Sequence, residues 1–250
     1  VVALGANLAY VAVTARHFSI QDVAVIAIIG ILTMLMDTGK GLGLGTYLLK
    51  HLPRLPLQGD RQAASLVFSY LVYSAVIPAV LALLSIAASA PLSQYFFGSA
   101  ESEPLLRLGL LTALLTVLTN TNVLILHARQ EFGLLATQTI LSSLFQRLLP
   151  VLPVLWLGTD LKAFLGWSCG LAAAGFLASC VPLAGKMAKA RLMAPAEFWP
   201  ESKHFYYTSL LRFGSTQFDQ IIVAAMFSPS ILAVYYMLRR LYSMAVLMIN

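Results

Sequence analysis

Residues 22–49 read DVAVIAIIGILTMLMDTGKGLGLGTYLL. The stretch has the length and apolarity of a bilayer-crossing helix, which needs about 20 apolar residues for a core of roughly 30 Å. It differs from an ordinary span in its second half, where Asp37, Lys40 and four glycines are concentrated. Similar long apolar blocks fill the rest of the chain. Of the 250 residues, 59% are hydrophobic and 10% charged, and mean hydropathy is +0.83. A soluble domain carries about 25% charged residues, so this chain lacks the polar surface to cover a water-exposed body. A transmembrane barrel would show short alternating segments, and none is present. The composition predicts an all-α polytopic membrane protein.

Eight apolar segments are expected: 1–15, 22–49, 63–90 with a bend near Pro78, 104–126, 132–157 with Pro150 and Pro153, 161–185, 206–228, and one from 231 onward. The chain starts within one block, without Met, and stops within another, and so reads as a piece of a longer protein. The net charge of +6 does not point to nucleic acid, because the cations lie mostly between blocks. With the connection before the third segment placed in the cytoplasm, inner connections hold Lys50, Arg54, Arg61, Arg129, Lys186, Lys189, Arg191 and Lys203. Outer ones hold Arg16, Arg107 and Lys162. This bias follows the positive-inside rule and supports the segment count; a cytoplasmic (inner) membrane location is the expectation. Cys169 and Cys180 share one segment, about 16 Å apart along a helix, too far for a disulfide with each other.

The longest connection, KMAKARLMAPAEFWPESKHF at 186–205, is basic and carries Phe198 and Trp199. It predicts a cytoplasmic amphipathic linker near anionic headgroups. It would divide a first six-helix lobe, 1–185, from the start of a second, 206–250. A repeated phrase supports this division. FSIQDVAV begins at Phe18, after the first segment, and FSPSILAV begins at Phe227, after the seventh. Two like-oriented halves would form a parallel repeat, a common transporter plan.

Two stretches resemble the polysaccharide-transporter branch of the multidrug/oligosaccharidyl-lipid/polysaccharide exporter superfamily. The first is HFSIQDVAVIAIIGILTMLMDTGKGLGLGTYLLKHLPR, with Asp37-Thr38-Gly39. The second is FGSTQFDQIIVAAMFSPSILAVYYMLRRL, with Asp219 and with Pro229 and Tyr235 in the turn region. The family's glycines in that turn are absent here. The resemblance implies a fragment, about eight helices, of a two-lobe fold of 12–14 helices around a central cavity. It also implies flipping of a lipid-linked oligosaccharide by alternating access, without enzymatic chemistry.

Ionisable residues inside membrane segments are costly and face protein or water. They are Asp37, Lys40, Arg147, Arg212, Asp219, Arg239 and Arg240; polar neighbours include Asn120, Asn122, His127 and Gln146. Arginine presents a planar, permanently charged fork of donors that suits phosphate. Arg147, Arg239 and Arg240 are therefore the leading contacts for a polyprenyl-diphosphate glycan, with Gln146, Asn122, Asp37 and Lys40 beside them. Asp37 and Lys40, three apart, form either a local ion pair or a cavity pair that opens to substrate. Asp219 has no partner nearby along its own helix. It is expected either to bind a coupling proton or sodium ion or to make structural hydrogen bonds.

Other motifs carry less. DTGKGLGLG lacks the Lys-Ser/Thr spacing of a phosphate loop. Gly41 and Gly45 have the spacing for close helix packing, the glycine density makes a bend plausible, and Gly166 and Gly170 read as packing residues too. His17 and Asp22 show the His-x4-Asp spacing of glycerolipid acyltransferases, but no phosphate-holding stretch accompanies them. No metal cluster or cofactor motif is present. Two rival readings are a cation-coupled exporter of organic cations and a glycan polymerase or ligase. Membrane cations outnumber carboxylates five to two in the set above, which favours an anionic substrate. A polymerase or ligase would be expected to carry a large outer loop with Arg or His, whereas 91–103 is short and has neither.

Overall fold

The computed structural model describes residues 2–55, 61–183 and 190–249. All regular structure among them is helical: α1 (Val2–His17), α2 (Ile20–Gly39), α3 (Leu44–His51), α4 (Arg61–Ala87), α5 (Ser89–Phe97), α6 (Glu103–Ala128), α7 (Phe132–Ser143), α8 (Val151–Leu157), α9 (Leu161–Cys180), α10 (Pro195–Met226) and α11 (Pro229–Ile249). Five helical stretches are long and apolar enough to cross a membrane: Ile20–Arg54, Arg61–Ala87, Glu103–Ala128, Phe132–Leu157 and Leu161–Cys180. The protein is an all-α polytopic membrane protein. Exposed Trp156, Leu157, Leu83, Leu84 and Leu177 lie on these stretches, as expected where the surrounding solvent is hydrocarbon.

The twice-written phrase has one structure. In each copy the serine is the residue at which a helix begins. Ser19 accepts the Val23 N–H at 3.0 Å through its carbonyl, and Ser228 accepts the Leu232 N–H at 3.1 Å. The first copy adds a capping box: Ser19 Oγ accepts from Asp22 N–H at 3.1 Å, and the Asp22 carboxylate accepts from Ser19 N–H at 3.1 Å. That use of Asp22 accounts for its spacing from His17 without acyltransferase chemistry. The shared alanines, Ala24 and Ala233, are both buried in one core with Val23 and Leu232. Small side chains there let α2 and α11 lie close together.

The 22–49 block is not one helix. α2 stops at Gly39, and a 3-10 turn over Lys40–Gly43 carries Gly41 (φ 71°), Leu42 (φ 49°) and Gly43 (φ 78°) in left-handed conformation. Glycine adopts this region without a Cβ penalty, whereas Leu42 pays about 1–2 kcal/mol. The break falls between two packed cores. One joins the first half of α2 to α11, α9 and Leu106 of α6. The other joins Leu44, Leu48 and Leu52 to α4, the end of α6 and Phe198.

Three further departures from the sequence reading are local. Ser89–Phe97, read mostly as an outer loop, forms α5, because Leu92, Phe96 and Phe97 pack on the first core. The 132–157 block is interrupted by a π-turn over Leu144–Leu148, and Pro150 then caps α8. Residues 195–205 of the expected linker are helical and continuous with the following segment in α10; residues 186–189 lie outside those described. α10 starts with Pro195 at its first position, and the Glu197 carboxylate accepts from Ala194 N–H at 2.9 Å.

The extended residues just before α10 lie along α4. Arg191 N–H donates to Ser65 Oγ at 3.1 Å, and Met193 N–H donates to Ser69 Oγ at 2.8 Å. Tyr73 Oη donates to Met193 O at 3.0 Å. The match is metric: two extended residues span about 6.6 Å, and four helical residues about 6.0 Å. Glu201 then ties α10 to α3, accepting from Lys50 Nζ and lying 3.2 Å from His51 Nε2.

These contacts, Lys50 first and then His51, hold the Glu201 carboxyl below its ordinary value of 4.5. A carboxyl lowered on folding stabilises fully above the unfolded value and loses that contribution as pH falls through the lowered one. Glu201→Gln is therefore expected to flatten the acid limb of a melting-temperature profile below pH 4.5 and to leave neutral-pH contacts of His51 to be made with an amide. An unchanged acid limb would show that the tie carries no stability.

Candidate functional site: a cationic cavity and its neighbour

A cavity of about 470 Å³ lies among α1, α2, α6, the π-turn, α9, α10 and α11. Its walls hold Arg147, Arg239 and Arg240, together with Gln146, Asn120 and Asp37. The local structure explains how each cation reaches it. Arg147 sits on the π-turn, whose i→i+5 bond from Leu149 N–H to Leu144 O is 2.9 Å. Single π-turns insert one residue into a helix and often occur at functional sites. Arg240 lies over two rings, 5.0 Å from the Tyr10 centroid and 5.2 Å from that of Tyr236. Both are within cation–π range of about 6 Å. The Tyr236 ring in turn rests on α2 where Gly30 has no side chain; a Cβ there would be 3.5 Å from Tyr236 Cε2.

Arg239 is held differently. Its Nη1 lies 2.9 Å from Asp219 Oδ1 and 3.2 Å from Gln220 Oε1. Asp219 also accepts from the Tyr235 hydroxyl and from Gln220 N–H, the latter at 2.8 Å. Of the two expectations for Asp219, ion coupling or structural hydrogen bonds, the structure shows the hydrogen bonds. Its side-chain partners, Tyr235 and Arg239, come from α11, on the far side of the Phe227–Ser228 turn. Asp219 lines neither cavity and instead positions Arg239. Arg147 and Arg240 have no carboxylate partner among the described residues. The cavity therefore carries positive charge that no described carboxylate neutralises at Arg147 and Arg240.

A second cavity, of about 340 Å³, adjoins the first on the α3 side. Met34, Asp37 and Gln217 line both. Lys40 faces this second space, with its Nζ 2.6 Å from Asp37 Oδ1. Arg212 lines it too. The Asp37–Lys40 pair, one of the two arrangements the spacing allowed, stands at the junction of the cavities.

Two sequence-derived assignments do not survive. Asn122 lines neither cavity; it is buried between α6 and α9, with Nδ2 donating to Ser179 Oγ at 2.7 Å. Asn120, two residues earlier, lines the first cavity instead. Gly166 and Gly170 meet no neighbour within 4 Å where a Cβ would project, so they pack against nothing described. Gly41 and Gly45 do pack. A Cβ on Gly41 would lie 2.8 Å from Ser74 Oγ, and one on Gly45 would lie 2.9 Å from Leu124 Cδ2. Tyr10, Tyr236, Gln217 and Gln220 were missed because they carry no charge. A polar or ring-hydroxyl side chain inside an apolar block was the available signal.

Fold and cavity together define a helical membrane protein with a cation-lined cavity between its helices. Residues 13–250 match the family described as "Polysaccharide biosynthesis protein", and the chain belongs to that family. No curated protein and no solved structure matches it.

Proposed function

We propose that this protein moves a polyprenyl-diphosphate-linked oligosaccharide across the cytoplasmic membrane, as a transporter rather than an enzyme. The observation that carries the reading is the pair of cavity arginines, Arg147 and Arg240, without carboxylate partners among the described residues. An uncompensated cation pair in a low-dielectric site is costly unless an anion arrives, and a diphosphate supplies that anion. Family membership in polysaccharide biosynthesis supports a glycan as the remainder of the substrate. The mechanism is alternating access between two lobes, this chain supplying the first lobe and the opening of the second. The diphosphate displaces water between Arg147 and Arg240, Arg239 is aimed at the cavity by Asp219, and the lipid tail stays among membrane lipids. A proton or sodium ion reaching Asp219 competes with Arg239 for the same carboxylate, so it would release the guanidinium. An exporter of organic cations is disfavoured by the same unpaired charge.

The test is complementation in a host lacking its glycan flippase. The full-length protein is expected to restore surface glycan. If protein reaches the membrane and glycan does not return, with lipid-linked precursors from several hosts tried, the flippase reading fails. An export assay with organic cations is then the next measurement.

A further inference from the structure

The second cavity is not explained by diphosphate binding. Its walls are rich in hydroxyls: Thr38, Thr46, Ser209 and Thr216 contribute, Lys40 is already committed to Asp37, and Arg212 is the one further cation among the described wall residues. Its most informative residue is Gln217, on α10. The side chain is 8% exposed and lines both cavities, yet its Oε1 has no hydrogen-bond partner. A buried carboxamide oxygen without a partner costs about 1–3 kcal/mol. Such a group at a cavity wall is satisfied by a ligand that can donate to it. The neighbouring Asp37 carboxylate needs donors as well, being half-exposed beyond its contact with Lys40.

We infer that the second cavity is a saccharide subsite, in which hydroxyls of the glycan head hydrogen-bond Gln217 and Asp37 while the diphosphate occupies the arginine cavity. The inference rests on the flippase reading and adds to it a division of labour between two adjoining spaces. Sugar hydroxyls fit because each both donates and accepts, which serves carboxylate, carboxamide and threonine together. A phosphate has only acceptors at neutral pH and would meet Asp37 and Gln217 Oε1 unfavourably. The volume, about 340 Å³, lies within the range of small-molecule sites, about 300–1,000 Å³. The shared wall at Met34, Asp37 and Gln217 makes the two spaces contiguous, as one elongated head group requires.

The experiment uses the full-length protein in lipid nanodiscs, with one reporter thiol in each cavity. Thr46→Cys reports on the second and Asn120→Cys on the first; both positions are exposed to their cavity. Maleimide alkylation at each thiol is followed by mass spectrometry. Two probes are added separately: bare polyprenyl diphosphate, and polyprenyl-diphosphate-linked oligosaccharide extracted from a glycan-producing host. The glycan lipid is expected to slow alkylation at both positions, and the bare diphosphate only at Asn120→Cys. Gln217→Leu is expected to weaken protection at Thr46→Cys by up to about tenfold, while bare diphosphate still protects Asn120→Cys, which shows that the variant is folded. Protection by glycan lipid at Asn120→Cys alone overturns the subsite and leaves the flippase reading standing. Protection of Thr46→Cys by bare diphosphate makes the second cavity a phosphate site and overturns the saccharide assignment. No protection anywhere by either lipid overturns both. The arms with Gln217 intact decide the proposal without the variant.

Discussion

Gly43→Ala is expected to lower folded-state stability by about 2–6 kcal/mol, the sum of left-handed backbone strain and overpacking. Two independent constraints meet at this residue. Its φ is +78°, and a Cβ there would lie 2.3 Å from Ser202 O and 2.8 Å from Tyr206 N. Both contacts are backbone atoms of α10, so no side chain can swing aside. Relief requires α3 and α10 to separate, which opens the core around Leu44, Leu48 and Phe198. The readout is the folded fraction in detergent, by size-exclusion profile and thermal unfolding. Gly133→Ala is the control, since a Cβ there meets nothing within 4 Å and its φ is not left-handed. A Gly43→Ala protein that melts with the parent would mean that α3 and α10 do not approach as described.

Arg147→Ala is expected to reduce glycan delivery by about 10- to 100-fold at unchanged protein level. The figure follows from losing hydrogen bonds to a charged group, about 1.5–3 kcal/mol, at about 1.4 kcal/mol per factor of ten. Arg147→Lys is expected to recover part of the loss. It keeps the charge but not the planar fork that grips two phosphate oxygens. The contrast separates substrate contact from packing, because lysine would replace a purely structural arginine poorly or fully according to volume alone. Normal glycan with alanine at 147 would remove this residue from the site and leave Arg240 as the unpaired cation to examine.

The apolar blocks were legible because lipid punishes exposed polar groups, so each span must be written as a long hydrophobic run. All eight blocks contain helix, and the glycine-rich second half of the 22–49 block carries the expected bend. What the runs do not encode is interruption by tertiary partners. α5 reads as a loop because Pro91, Ser93 and Gly98 are turn residues; its helix depends on the face that Leu92, Phe96 and Phe97 give to a distant core. The site was legible by charge and no further. Arg147, Arg239 and Arg240 do line one cavity, but nothing local showed that Arg239 is tied to Asp219 while Arg240 rests on tyrosine rings. Asn120 and Asn122 show the limit most clearly. Two residues apart, they point about 200° from each other around a helix. Sequence offers both faces equally, and only the position of α9, with Ser179, decides which asparagine is packed and which is open.

The break after Gly39 also bears on the barrier that the proposed charged head group would cross. Along α2, cavity-lining residues run from Ile26 to Asp37, about 16 Å at 1.5 Å per residue. The adjoining space continues past the break to Leu49 on α3. A hydrocarbon core is about 30 Å thick, so on this helix the cavity runs along roughly half of it before α3 is counted, with Thr33 and Asp37 as its polar groups. The Born cost of carrying charge through a low-dielectric slab then applies only to the width left dry. By ending one helix early and starting another, the chain carries the cavity past the break, and water filling it would make the membrane electrically thinner here than its lipids do elsewhere.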